Sequence, residues 1–181
     1  MADIRFAAAA DLPALHALVE RAYRGDSARR GWTHEADLLG GQRTDEETLG
    51  AIIADPQQRI LLADRDGALI GCVQLTSKGD GTAYLGLLAV DPALQAGGVG
   101  AQLIAACEAA AMGEFGATRM EMTVIDGRAE LIAYYQRKGY ALTGERRPFP
   151  MTDERFGLPQ RQLEFVVLGK SLEADRSTTS A

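Results

Sequence analysis

The chain has 181 residues, 46% apolar and 24% charged, with a formal net charge of -6. One domain is the default at this length. The charge argues against a nucleic-acid partner, whose phosphates need a concentration of Lys and Arg; the longest basic runs are only Arg29-Arg30 and Arg146-Arg147. No run of roughly 18 apolar residues could span a membrane, and Met1-Ala2-Asp3-Ile4-Arg5 lacks the start of a signal peptide, so a cytoplasmic protein with no membrane partner is expected.

Ile4-Arg5-Phe6 reads as a first strand. Asp11 and Pro13 suit the start of a helix, along which Leu15, Leu18, Val19 and Ala22 recur at helical spacing. His16 on that helix reads as a surface or packing residue. From Gly25 to Gly41 the chain is polar and punctuated by glycine, with Trp32 and His34 inside it. Thr44-Asp45-Glu46-Glu47 opens a second helix, with Thr44 as cap and Glu47 at the capping-box position. Residues 59–63 and 69–76 flank Asp64-Arg65-Asp66-Gly67, a hairpin signal. Lys78-Gly79-Asp80-Gly81 turns the chain into a strand over 82–90, stopped by Asp91-Pro92.

A glycine loop then leads into an alanine-rich helix over about 99–115. A strand over 120–125, a helix over 129–138 closed by Gly139, and strands at 141–143 and 163–168 follow. Beyond Lys170 the chain is Ser/Thr-rich without apolar pattern, so one domain over 1–170 and a disordered tail over 171–181 are expected. Cys72 and Cys107 sit in apolar surroundings with no metal-site spacing; both read as buried thiols, and no metal is expected. Strands joined by tight turns, then βαβ-like units, imply an α/β (α+β) fold: a mixed sheet with helices on its faces.

The segment with chemical content is Leu88-Ala89-Val90-Asp91-Pro92-Ala93-Leu94-Gln95-Ala96-Gly97-Gly98-Val99-Gly100. A strand ends, the chain turns and a helix begins among glycines. The first amides of a helix have no intrahelical partners, and the dipole there favours negative charge. Glycines let a phosphate approach the backbone. No Gly-Lys-Ser/Thr of a P-loop and no full GxGxxG is present. On its own the loop also fits a tight strand-to-helix turn.

Gln95, Gly98 and Gly100 stand as Gln-x-x-Gly-x-Gly, which resembles motif A of the GNAT superfamily of N-acetyltransferases; the preceding Leu-Ala-Val-Asp-Pro resembles that family's strand ending. Further on, Tyr135 and the closing Gly139-Tyr140 resemble its motif B, a helix ending Tyr-x-x-x-Gly-Phe/Tyr. Seven residues before the tyrosine, where members often carry Asn, stands Arg128. Gly31-Trp32-Thr33-His34-Glu35 and Gly144-Glu145-Arg146-Arg147-Pro148-Phe149-Pro150 look like a bacterial subgroup. The resemblance follows the element order from Ile4 to Lys170 and is specific over 88–140.

It implies an acetyl-CoA-dependent N-acetyltransferase, moving an acetyl group directly to a primary amine. In the family's fold a central, mostly antiparallel sheet contains two parallel strands that splay apart, and the pantetheine arm bonds one exposed edge; here those strands would be 82–90 and 120–125. The implied cofactor contacts are Leu88, Ala89, Val90, Gln95, Ala96, Gly97, Gly98, Val99, Gly100, Arg128 and Tyr135. The Leu88 carbonyl and Val90 amide would meet the cofactor, and the Val90 amide would also polarise the thioester carbonyl.

Tyr135 is the implied general acid, protonated at neutral pH. Tyr134 and Tyr135 point about 100° apart on a helix, so one can be core while the other, expected to be Tyr135, faces the cofactor. Some members carry a Glu as base on the strand before the loop; Tyr84-Leu85-Gly86-Leu87-Leu88 has none. Candidate bases are Glu35, Glu121, His34 and Asp37, or a water chain, and Trp32, His34 and Glu35 are candidate acceptor contacts. The other readings are a catalytically silent acyl-CoA-binding sensor or regulatory module and a nucleotide-binding α/β domain, the latter weakened by the missing P-loop lysine. The acceptor amine stays open, and a homodimer is compatible.

Overall fold

The computed structural model describes residues 2–23, 39–40, 44–148, 158–159 and 164–173. Trp32, His34, Glu35, Asp37 and the segment after 173 lie outside them. Among the described residues the order is β1 (Asp3–Phe6), α1 (Leu12–Tyr23), β2 (Leu39–Gly40), α2 (Glu46–Ala54), β3 (Gln58–Arg65), β4 (Ala68–Ser77) and β5 (Thr82–Val90), then α3 (Val99–Phe115), β6 (Arg119–Ile125), α4 (Ala129–Arg137), β7 (Ala141–Pro148), β8 (Leu158–Pro159) and β9 (Glu164–Ser171).

The main sheet runs β1-β3-β4-β5-β6-β9-β7. Every neighbouring pair in it is antiparallel except β5 and β6, which are parallel. β2 and β8 form a separate two-residue antiparallel pair. This is the expected mixed sheet with helices on its faces.

Local chemistry explains most boundaries. Asp66 (φ 52°) and Gly67 (φ 79°) form the tip of the β3–β4 hairpin, with Arg65 opposite Ala68; positive φ at both turn residues matches the right-handed twist of the strands. α1 begins after a 3-10 turn at Ala9–Asp11, where the Asp11 carboxylate accepts the Ala8 amide at 2.8 Å. The cap of α2 is Asp45 rather than Thr44: its carboxylate accepts the Thr48 amide at 2.7 Å. Thr44 is buried instead, and its carbonyl accepts a hydrogen bond from His16 Nε2 at 3.0 Å, which makes His16 a packing residue.

Two ends run further than expected. β7 continues past residue 143 to Pro148, resuming with Arg146 opposite Val166 after a register shift. β9 reaches Ser171, and Leu172 is buried in the core.

The core has two parts, one on each face of the sheet. Leu15, Leu18, Val19 and Leu49 from α1 and α2 pack on Ile60, Leu62, Cys72 and Ala89. On the other face Val99, Leu103, Ile104 and Cys107 of α3 and Tyr135 of α4 meet Val73, Leu75, Met120, Met122 and Leu168. Both cysteines are fully buried, and burial pushes each thiol pKa up to about 12.

β5 carries the irregularity that matters. Cys72 faces Ala89 and Gln74 faces Gly86, so one residue of β4, Val73, lies against two of β5, Leu87 and Leu88. The extra residue sits at Leu87, whose φ of 47° lies in the left-handed region that costs a branched side chain energy. The bulge also resets which face each side chain takes. Ala83 and Leu85 lie on the α3 face before it, Leu88 and Val90 after it, while Leu87 turns to the α1 face.

α3 sits directly on Gly71, opposite Val90. A Cβ at Gly71 would meet Leu103 Cδ1 at 2.8 Å, the Ala89 carbonyl oxygen at 3.2 Å and Val99 Cγ1 at 3.2 Å. Gly71→Ala should therefore destabilise the protein by about 1–3 kcal/mol through overpacking. An unchanged urea midpoint would show that α3 has slack over β4.

Candidate functional site

The site starts where β5 and β6 part. Their pairing covers Thr82–Tyr84 against Arg119–Glu121, yet β5 continues to Val90 and β6 to Ile125. Beyond Tyr84 the two strands open into a cleft, as expected of the splayed pair. The Tyr84 hydroxyl and Thr123 Oγ1 hydrogen-bond across it near its origin. Gly86 allows this, because a Cβ there would lie 3.1 Å from the Tyr84 ring.

On the β5 side the side chains of Leu88, Ala89 and Val90 are buried, so only their backbone can serve a ligand. The Leu88 carbonyl already accepts a hydrogen bond from the Tyr23 hydroxyl at the end of α1. A carbonyl has a second lone pair for another donor.

β5 delivers the chain into the glycine loop. Asp91 caps a 3-10 turn over Pro92–Gly97, its carboxylate accepting the Ala93 amide at 3.1 Å; the backbone of Gln95 and Ala96 belongs to this turn. Gly98 then takes φ 78° and is the N-cap of α3. Among the described residues a Cβ at Gly98 would meet nothing within 4 Å, so the demand there is conformational. The Val99 side chain is buried against the sheet, which leaves only its amide to the loop. The result is an open, glycine-lined helix start at the mouth of the cleft, suited to an anion.

Two side chains reach this loop that pattern reading did not single out for it. A Cβ at Gly97 would lie 3.9 Å from Arg65 Nη1, and one at Gly100 would lie 3.0 Å from Tyr134 Oη. Arg65 reads in the sequence as hairpin and nothing more.

Tyr134 and Tyr135 take different surroundings, as the angle between them on a helix implies. Tyr134 is half-buried with its hydroxyl against the start of α3, while Tyr135 is buried at 6% exposure, edge-on to Tyr134 and Tyr140. Burial holds the Tyr135 pKa well above the usual tyrosine value; Tyr23, Tyr134 and Tyr84 add to this and Arg128 opposes it. None of the described residues hydrogen-bonds the Tyr135 hydroxyl.

The end of α4 explains the Gly-Tyr pair of motif B. Gly139 (φ 96°) donates to the Gln136 carbonyl and Tyr140 to the Tyr135 carbonyl, both at 3.1 Å, a Schellman closure that needs the left-handed residue. Tyr140 is buried and donates to Glu108 of α3 at 2.9 Å, and Lys170 of β9 binds the same carboxylate at 3.0 Å. Arg128 is the N-cap of α4, its carbonyl accepting the Leu131 and Ile132 amides at 3.1 Å.

Glu121 does not suit the role of base. It is buried at 8% exposure on the last rung of the β5–β6 pair, ion-paired to Lys78 and, at 3.2 Å, to Arg147. Burial pushes its pKa up, but hydrogen bonds from Lys78 and Arg147 outweigh that and leave it below the usual carboxylate value. A carboxylate held ionised by two cations has a low proton affinity, the wrong direction for taking a proton from an ammonium. Among the described residues no group of three His, Cys, Asp or Glu side chains is placed to hold a metal ion.

A cleft between parted strands runs to an open glycine-lined helix start, where unpaired strand edge and helix-start amides can meet a ligand with an anionic portion. A sequence profile of the Acetyltransferase (GNAT) family matches residues 14–140, and the chain belongs to that family. No curated protein matches it in sequence. Solved structures are similar in fold. The ribosomal-protein-S18-alanine N-acetyltransferase of Escherichia coli is 17% identical with a TM-score of 0.70, covering 100% of both chains. The protein yncA of Salmonella typhimurium, solved with its cofactor acetyl-CoA, is 19% identical with a TM-score of 0.70, covering 100% of this chain and 99% of that one. N-acetylglutamate synthase of Neisseria gonorrhoeae, solved with coenzyme A and N-acetyl-glutamate, is 21% identical with a TM-score of 0.65, covering 96% of this chain and 36% of that one.

The Glu121 cluster makes a prediction of its own. Its folded-state pKa is lowered, so its contribution is present at neutral pH and is lost as pH falls through the folded value. Glu121→Gln should cost about 1–2 kcal/mol at pH 7, below the range for fully buried pairs because Lys78 and Arg147 are partly exposed. The gap to wild type should close as pH is lowered into the carboxylate range. Urea midpoints between pH 7 and pH 3 measure this, and a gap constant with pH would refute the clamp.

Proposed function

We propose that this protein is an acetyl-CoA-dependent N-acetyltransferase that transfers the acetyl group directly to a primary amine. The observation that carries the reading is the parted β5–β6 pair leading to the open start of α3. The cofactor would be held by the backbone of Leu88–Val90 and by the loop amides of Gln95 to Gly100. Its thioester supplies an activated acetyl group and a thiolate leaving group. Gly97 and Gly98 present no side chain within the loop, which is what close approach of a diphosphate to the backbone requires.

In this reading the Val90 amide polarises the reacting carbonyl. Tyr135 is the donor to the departing sulfur. Its burial keeps the hydroxyl protonated across the neutral range, so it acts as a hydrogen-bond donor throughout, and the same burial disfavours a tyrosinate. Glu35 is the proposed base, with Trp32 and His34 beside it in the acceptor site. The support is chain placement: the segment carrying them leaves α1 at Tyr23, whose hydroxyl touches the cleft at Leu88. A protein of net charge -6 suits an amine that arrives as a cation.

Acetyl-CoA should raise the melting temperature, equivalent to about 2.7 kcal/mol at a hundredfold excess over its dissociation constant. Gly98→Asn and Gly98→Val both put a side chain where the phosphate would approach. Asn tolerates the left-handed conformation, so it should leave stability nearly unchanged, while Val should lose about 1–3 kcal/mol. Both should lose most acetyl-CoA affinity by calorimetry. Full affinity in a folded Gly98→Asn protein would remove the loop from the site.

Tyr135→Phe should reduce turnover by about 10²–10³-fold, the usual loss for one donor to a developing anion. Stability should hold, since no described residue bonds that hydroxyl, and acetyl-CoA affinity should change little. The measurement is thiol release against a panel of amines, or slow acetyl-CoA hydrolysis. Turnover equal to wild type at saturating acceptor would mean that the sulfur leaves without Tyr135, while a protein that binds acetyl-CoA but turns over no amine would favour the sensor reading.

A further inference from the structure

We propose that the side-chain carbonyl of Gln74 is the group in the acceptor site that takes an N–H of the incoming amine. The inference rests on the N-acetyltransferase reading and adds a residue that would hold the acceptor rather than the cofactor.

Gln74 stands on the face of the sheet that α1 and α2 cover, because Val73 and Leu75 on either side of it point to the α3 face. The two helices pack there on Ile60, Leu62, Cys72 and Ala89. Further along the same strands this face turns polar, with Gln58 on β3, Gln74 and Thr76 on β4 and Tyr84 on β5. Gln74 lies opposite Gly86. A Cβ at Gly86 would lie 3.1 Å from the Tyr84 ring and 3.9 Å from Gln74 Oε1. The missing side chain leaves a small gap where β5 and β6 begin to part. It is bordered by the Gln74 oxygen and by the Tyr84 ring, whose hydroxyl is tied to Thr123.

The direction of the Gln74 amide is set two residues away, at the end of a relay. The Asp55 carboxylate, at the end of α2, has only lone pairs to offer. Hydrogen bonds from the Gln58 side chain and the Gln57 amide hold its pKa below the usual carboxylate value, so it is ionised at neutral pH. Gln58 therefore turns its Nε2 to Asp55, at 2.9 Å, and its Oε1 away. That oxygen accepts from Gln74 Nε2 at 2.6 Å and from Thr76 Oγ1 at 3.3 Å. With its nitrogen committed, Gln74 presents its oxygen to the gap; a flipped amide would set oxygen against oxygen. An amide oxygen accepts and cannot donate, so it suits a ligand bearing N–H and disfavours a carboxylate. Being uncharged, it binds an amine without holding it as the ammonium, as a carboxylate in its place would.

The test is thiol release at saturating acetyl-CoA with a panel of primary amines that runs from n-butylamine and putrescine to lysine amide and an alanyl peptide. Wild type, Gln74→Leu, Gly86→Ala and Asp55→Asn are compared, with melting temperatures to confirm folding and calorimetry to follow acetyl-CoA binding. Gln74→Leu keeps most of the bulk and removes the oxygen. It should raise KM for the best amine by about 10- to 100-fold, the range for one hydrogen bond to a charged group, with acetyl-CoA affinity unchanged. Gly86→Ala puts a methyl in the gap without breaking a bond of the relay and should raise the same KM. Asp55→Asn can meet Gln58 with either end, so the relay loses its fixed direction and KM should rise by less than in Gln74→Leu. An amine KM that does not move in folded Gln74→Leu would overturn the inference while leaving transfer to an amine intact. Wild type that binds acetyl-CoA yet releases no thiol with any amine of the panel would overturn this inference and the transferase reading together.

Discussion

A parallel strand pair stays together only while its two members advance in step. One extra residue at Leu87 ends that agreement for β5. On its other edge β5 is held by β4 on both sides of the bulge, down to Gly71 opposite Val90. The distortion is therefore relieved toward β6, where nothing compensates, and the strands part. The same residue moves Leu88 and Val90 onto the α3 face and brings the Leu88 carbonyl to Tyr23. The bulge thus sets the cleft, its lining and the angle at which the chain enters the glycine loop.

Charge is used at the edges of this opening rather than inside it. Glu121 marks the last rung before the strands part, and its two cations come from the β4–β5 turn and from β7. It acts as a rivet across neighbouring strands at the point where they would otherwise peel. On the opposite face Glu108 has an analogous place, joining α3 to the closing residues of α4 and to β9 through Tyr140 and Lys170.

How much of this could be read from the residues depended on whether the cause was local. The Asp66-Gly67 turn, the break at Asp91-Pro92 and the glycine loop are written in short-range stereochemistry, and they appear where expected. Asp45 and Thr44 are both competent caps one residue apart, and only the geometry of the turn separates them. The bulge left no trace, because residues 84–90 are apolar almost throughout and an alternation that does not exist cannot reveal a slip. β7 reads short in the sequence because Gly144-Glu145-Arg146-Arg147 lies on an exposed edge with no apolar pattern. Alternation did place Glu121 opposite Met120 and Met122, but its partners at 78 and 147 are distant in sequence. The 100° between Tyr134 and Tyr135 was legible; which of them meets the loop depends on how α4 lies against α3, a tertiary fact.

Cys72 and Cys107 are sealed in different halves of the core, with thiol pKa values of about 12. Neither is a competent nucleophile toward a disulfide dye while the protein is folded. In a colorimetric assay the folded protein is therefore silent, and any thiol that a reaction releases is the one that reports. The same two groups become reactive when the core opens, so the rate at which they label is a clock for global unfolding. A cysteine introduced at the surface would be the single labelled position without removing either native one.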